Sequence, residues 1–249
     1  MSVPRPDSLR GSGPYAIDAK MKLLAFETAT EACSAALYID GEVGEVFQFA
    51  PREHTRLLLD MIDGLLAEAG LAPAQLDALA FGRGPGAFTG VRIATGVAQG
   101  IAYAADLPVV PVSTLAALAQ GAKRAFGWTR VAAAIDARMN EVYWAAYSAN
   151  DAGLMVAHSD ELVCAAEQVP LLDGTGWHGI GSGWQTFAEA LNLRQQGKVL
   201  DWQGEYLPHA QDVAVLAVDA FAKGLAVSAR EALPVYLRDQ VVQSPPARS

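Results

Sequence analysis

Cysteine is scarce. The 249 residues hold two, Cys33 and Cys164, with no CxxC pair and no histidine at metal-ligand spacing, which excludes a disulfide framework or a zinc site as the organising device. His54, His158, His178 and His209 are scattered singletons without an HExxH arrangement. Metallopeptidase chemistry therefore has no carrier, and each reads as a surface or satisfied core histidine. No apolar run reaches the roughly 18 residues of a membrane span, and the first residues lack the basic-then-apolar plan of a secretory signal. A cytoplasmic location without membrane contact is expected. A basic surplus is also missing: 18 Lys and Arg stand against 27 Asp and Glu, a net charge of −9. Phosphate contacts need clustered cations, so any nucleic acid would be held mainly by another chain.

What is present is a core. Hydrophobic residues make up 52% and charged residues 18%, enough for one large domain or two small ones. Residues 1–20, MSVPRPDSLRGSGPYAIDAK, are rich in Pro, Gly and Ser and precede a second methionine, Met21. They read as a tag remnant or disordered leader, and 244–249 as a disordered tail.

From Met21 the pattern sharpens. KLLAF is a strand ending at Glu27, CSAALYI a second, and Asp40-Gly41 turns the chain into EVGEVFQFA. A helix over about 53–70, a strand LDALAF, a glycine loop, a helix over about 88–105 and a strand LPVVPV follow. Ser113 or Thr114 then caps TLAALAQGAKRAF. The opening pattern recurs: RVAAAID ends in Asp136, EVYWAAYSA and GLMVAHS follow, and Glu27 and Asp136 stand 109 residues apart. This predicts two facing α/β domains, 21–125 and 126–243, in the duplicated plan of the actin, Hsp70 and sugar-kinase architecture. The late helices are candidates to pack back on the first domain. Two β-meanders can also look alike without duplication.

In that architecture the acid-ended strands feed loops that grip nucleotide phosphates through backbone N–H groups, and glycine admits the phosphate. Here the loops are ETATEA and DARMNE, without glycine. Glu27, Thr28, Thr30 and Asp136 therefore read as vestigial nucleotide loops, or as acids that cap their own turns. GRGPGA, residues 82–87, matches the dinucleotide fingerprint in letters. No acid follows the next strand, however, and no lysine precedes Thr89 or Thr95, so a rigid turn entering the helix is the better reading.

The two helices around that loop carry surplus apolar surface. Leu57, Leu58, Leu59, Met61, Ile62, Leu65, Leu66 and Ala69 sweep an arc of roughly 200°, about twice what covering one sheet needs. On the second helix Arg92, Thr95, Gln99 and Tyr103 form a polar stripe of roughly 80°. Small residues run in two lines, Gly90-Ala94-Ala98-Ala102 and Gly96-Gly100-Ala104, which let another backbone come close. A second chain on these helices is expected, through Leu57, Leu58, Met61, Ile62, Leu65, Phe88, Val91, Ala94, Thr95, Ala98 and Ala102; burial against the chain's own sheet is the competing reading.

The motifs KLLAFETATEACSAAL, GRGPGAFTGVRIATGVAQGIA, AAIDARMNEVYWAAY and PVYLRD resemble the TsaB family, also called YeaZ, over residues 21–243. Two positions depart from its pattern: Glu27 where aspartate is usual, and Asp239 where asparagine is usual. The resemblance implies the two-domain actin-like fold and a non-catalytic role in making N6-threonylcarbamoyladenosine at position 37 of tRNAs that read codons beginning with A. It implies a catalytic paralogue, TsaD, and a small ATPase, TsaE, as partners, and a homodimer when the chain is alone. No cofactor of its own is implied; ATP and a metal belong to those partners, and tRNA is reached only indirectly. An actin-like ATPase or kinase using Glu27 and Asp136 is the rival reading, and a peptidase of the same fold has no supporting residue: neither Cys33 nor Ser34 has a histidine nearby in sequence.

Overall fold

The computed structural model describes residues 20–238. The expected leader, apart from Lys20, the expected tail and Asp239 lie outside the described residues.

The first sheet holds β1 (Lys22–Glu27), β2 (Ala32–Ile39), β3 (Glu42–Phe49), β4 (Ala78–Gly82) and β5 (Val109–Val112), in the order β3-β2-β1-β4-β5. The first three strands form an antiparallel meander, and β4 and β5 continue the sheet parallel to β1. Asp40 and Gly41 both take positive φ, 50° and 98°, the geometry a two-residue hairpin turn demands. β1, β2 and β4 read as nearly continuous apolar runs because both faces of the sheet are covered. On one face lie α1 (His54–Ala69) and α2 (Phe88–Ala105), packed on Leu24, Phe26, Leu37 and Phe81. On the other lies α5 (Ala210–Ala222), whose Val213, Ala214, Ala217 and Val218 pack on Leu23, Ala25 and Ala80.

The second sheet holds β6 (Arg130–Arg138), β7 (Glu141–Ala149), β8 (Met155–Ala157), β10 (Trp177–Ile180) and β11 (Val199–Gln203), in the order β11-β10-β6-β7-β8, with β9 (Leu162–Ala165) also on β7. Read from β8, its strands follow the same order and directions as the first sheet read from β3: an antiparallel meander, then two parallel strands. The expected third strand, GLMVAHS, shortens to β8, and β9 is an additional strand that the sequence reading did not expect. β8 pairs with the end of β7 and β9 with its start. Between them the ladder is interrupted, and the Ala146 N–H donates to Ser159 Oγ instead (3.0 Å). α3 (Thr114–Phe126) covers one face of this sheet and α4 (Ser182–Gln195) the other, where Trp144, Trp177 and Trp184 fill the core.

The halves are interlocked. α3 follows the first sheet in sequence yet buries Leu115 and Leu118 on the second, whereas α5 follows the second sheet and lies on the first. They meet through Arg124, whose guanidinium grips both carboxylate oxygens of the fully buried Asp212 at 2.9 and 2.8 Å. From Leu225 the chain returns as a strap over the first half. Val227 pairs with Val109 in both directions, the Val235 N–H donates to Arg83 O, and buried Ala232 joins the core under α1 and α2.

Candidate functional site

Glu27 ends β1, whereas β6 runs two residues past Asp136, and each acid caps the backbone that follows it. Glu27 Oε1 accepts the Ala29 N–H and Asp136 Oδ1 accepts the Arg138 N–H, each at 2.7 Å and each two residues on, so the repeated sheets repeat this detail too. The rest of the surroundings differ. Glu27 has no exposed surface, and its second oxygen accepts the Thr114 hydroxyl (2.9 Å). Burial lifts its carboxyl to about 7 against the hydrogen bonds that lower it. Asp136 is half-buried and paired with Arg138, which also reaches toward Glu31 at 3.8 Å. Arg138, Met139 and Asn140 take left-handed backbone in succession (φ 61°, 56° and 60°), and the first two place their side chains along the cleft between the halves.

Thr28 and Thr30 are spent locally. Thr28 Oγ1 donates to Gly90 O (2.8 Å), and Thr30 Oγ1 accepts the Ala32 N–H (3.4 Å). The turn thus keeps few groups free to hold a phosphate. The cleft, about 790 Å³, is lined by apolar side chains, among them Phe49, Phe88, Met139 and Tyr236, and by charged ones, among them Glu31, Asp136, Arg138 and Arg238. At its mouth the Arg92 guanidinium stacks on Phe88, 3.0 Å from the ring centroid, with Tyr236 at 5.0 Å.

The remaining polar singletons do not converge. Ser34 Oγ accepts the Ala210 N–H, and burial together with the Glu27 charge pushes the Cys33 thiol up to about 11. His54 Nε2 lies against the carbonyls of Thr30 and Ala32, His178 stacks on Trp128, and His209 pairs with Glu45. Among the described residues no group of three or more His, Cys, Asp or Glu could hold a metal ion. Nor is any helix among the described residues long and apolar enough to cross a membrane.

The helical surface departs most from the sequence expectation. Leu58, Met61, Ile62 and Leu65 on α1, and Val91, Ala94, Thr95, Ala98 and Ala102 on α2, are all buried in this chain. Their expected role as a face offered to another chain is corrected, because both helices bed on the first sheet with a wider arc than one flat face requires. Leu57 is half-buried, and only Phe88 of the expected set is exposed, at 53%. Of the α1 surplus, Leu57 and the exposed Leu59 remain at opposite rims of the buried arc.

α2 is also turned by roughly 60° from the expected orientation. Thr95 can be buried because its hydroxyl donates to Val91 O within the helix (2.9 Å), and Gln99 is drawn under the strap, donating to Ala232 O (3.0 Å). The face left outward carries Arg92, Gly96, Gly100, Tyr103 and Ala104, beside half-buried Ile93 and Val97. At Gly96, Gly100 and Gly64 on α1, a Cβ would meet nothing within 4 Å among the described residues. Sequence reasoning named the Gly96-Gly100-Ala104 line but not its outward sense. It missed Thr114, Gly82 and the strap as partners of this region; no local signal marks contacts that span so much chain.

Comparisons with known proteins agree on kinship. The family model described as TsaD, tRNA N6-adenosine threonylcarbamoyltransferase, matches residues 35–243. The curated tRNA threonylcarbamoyladenosine biosynthesis proteins TsaB of Escherichia coli and Haemophilus influenzae are 46% and 42% identical, each over 89% of this chain and 96% and 95% of their own. A transferase of Pelodictyon phaeoclathratiforme is 33% identical but covers 39% of this chain and 32% of its own length. The solved structure of YeaZ from Pseudomonas aeruginosa, 49% identical, superposes with a TM-score of 0.82 over 87% of this chain and all of that one. Similarity runs nearly end to end with the TsaB proteins and covers only a part shared with the transferases: the chain belongs to the TsaB family.

Proposed function

We propose that this chain is the non-catalytic partner subunit of the machinery that transfers threonylcarbamoyl to N6 of adenosine 37 in tRNAs reading codons that begin with A. It docks through the outward face of α2, with the adjoining edge of α1, onto a TsaD-type catalytic paralogue; a TsaE-type ATPase joins the pair, and a second copy occupies the same face when the paralogue is absent. The matching strand order of the two sheets supports a duplicated actin-like fold, with halves at 21–125 and 126–243 that exchange α3 and α5.

The observation that carries the docking face is the pair Gly96 and Gly100. Each glycine inside a helix costs about 1 kcal/mol relative to alanine, and none of the described residues occupies the space their missing side chains leave. Close approach of a backbone from another chain gives these glycines a use, and half-buried Ile93 and Val97 beside them supply apolar contact. The turn geometry speaks against the ATPase reading, since each acid spends an oxygen on its own backbone.

Reconstitution tests the proposal. Threonylcarbamoyl transfer by the paralogue and the small ATPase is measured with wild-type chain, with Gly96→Glu and without the chain. Activity is expected with wild type alone, and equal activity with Gly96→Glu counts against this docking face.

A further inference from the structure

α2 is seated by one turn. Its cap residue Ala87 donates its N–H to Ala29 O (2.7 Å), and in its first turn Gly90 O accepts the Thr28 hydroxyl (2.8 Å). A Cβ at Gly86 would run into Ala29, and one at Gly90 into the Thr28 carbonyl. The start of the helix is therefore keyed to residues 28 and 29 by two hydrogen bonds and two close backbone approaches. The shape of that turn is held in turn by Glu27, through the Ala29 N–H on one oxygen and Thr114 at the head of α3 on the other. The carboxyl presses on Gly82 so closely that a Cβ there would occupy its place.

A carboxylate with no exposed surface and no ion-pair partner among the described residues is costly to keep. Capping a turn needs one acceptor oxygen, which an exposed Asp or Asn supplies without that penalty. We propose that Glu27 is a positioning residue for the docking helix: it joins β1, the head of α3 and the turn under α2 into one unit, and so sets the position of the α2 face that a TsaD-type paralogue meets. Its hydrogen bonds survive either charge state. A protonated carboxyl keeps Oε1 as acceptor for Ala29 and donates from Oε2 to the Thr114 oxygen, which then turns its own proton away. The nearest titratable neighbour on β2 is the buried Cys33 thiol.

The inference rests on the docking reading above, and the test separates the two. Amide hydrogen exchange is recorded on the free full-length chain, then affinity for the paralogue is measured by titration, for Glu27→Ala, Glu27→Gln and Gly96→Glu. Glu27→Ala is expected to speed exchange at Ala29, Ala87 and the first turn of α2 about tenfold, leaving the last turn unchanged, and to weaken paralogue binding about tenfold. Glu27→Gln keeps an acceptor for Ala29 and a donor for Thr114, and is expected to restore both readouts to within about threefold. Wild-type affinity in Glu27→Ala, or failure of Glu27→Gln to rescue, overturns the assignment. Should Glu27→Ala not fold, Thr28→Val carries the test, since it deletes only the bond to Gly90. It is expected to weaken binding several-fold, and unchanged binding overturns the proposal as well. If Gly96→Glu binds normally, the docking face is wrong, while the exchange pattern still decides whether Glu27 seats α2.

Discussion

Thr114 donates its hydroxyl proton to Glu27 Oε2 at 2.9 Å, and neither residue has any exposed surface. This bond joins the end of the first strand to the head of a helix 87 residues away that serves the other sheet. The acid that would face a nucleotide in an open actin-like cleft is here an internal tie.

Replacing Glu27 with Gln is expected to change how stability depends on pH. Its folded pKa, about 7, lies above the ordinary 4.5, so folding favours the protonated form. Its contribution is therefore fully present below pH 4.5 and is lost as pH rises through 7. The loss is on the order of 3 kcal/mol. Urea melts of both proteins from pH 4.5 to 8.5 check this: Glu27→Gln should gain on wild type as pH rises, and parallel curves would contradict it.

Gly82→Ala is expected to destabilise by about 3 kcal/mol or more through overpacking against the Glu27 carboxyl. The double variant Gly82→Ala with Glu27→Ala removes the clash and should recover part of that loss. Strict additivity of the two single changes in thermal melts would argue against the contact.

Gly96→Ala with Gly100→Ala should stabilise the free chain by about 1–2 kcal/mol, since both sites are helical, outward and open. The same pair should weaken association with the paralogue. Calorimetric melting and a binding titration on one preparation test both signs, and a more stable variant that associates unchanged would remove the argument for a docking face.

Asp212→Ala is expected to cost about 3–5 kcal/mol, because it leaves the Arg124 guanidinium without its two-oxygen partner at the junction of α3 and α5. Asp212→Asn keeps one acceptor and should cost less. Denaturant midpoints rank the three proteins.

Much of the architecture was legible locally. Short apolar strands, Asp40-Gly41, the Ser113 cap, whose side chain accepts the Ala116 N–H, and the second strand that carries an acid near its end are set by neighbours within a few residues. The candidate site was legible only in part. Leu57 to Leu66 spell an apolar arc, but periodicity gives its width and not what it meets. Thr95 reads as polar until its hydroxyl is seen to turn back on Val91.

By itself, then, the sequence determined the elements, the repeated sheet plan and the family, since these follow from spacing, turn chemistry and motif. Tertiary structure decided which face of α2 looks outward, that α3 and α5 cross between the halves, and that Glu27 is buried on Thr114. Each of these depends on segments far apart in the chain competing for the same surface, as when the strap at Ala232 draws Gln99 inward and leaves Gly96 and Gly100 open. Burial is a property of the assembled neighbours, and residue type alone does not specify who those neighbours are.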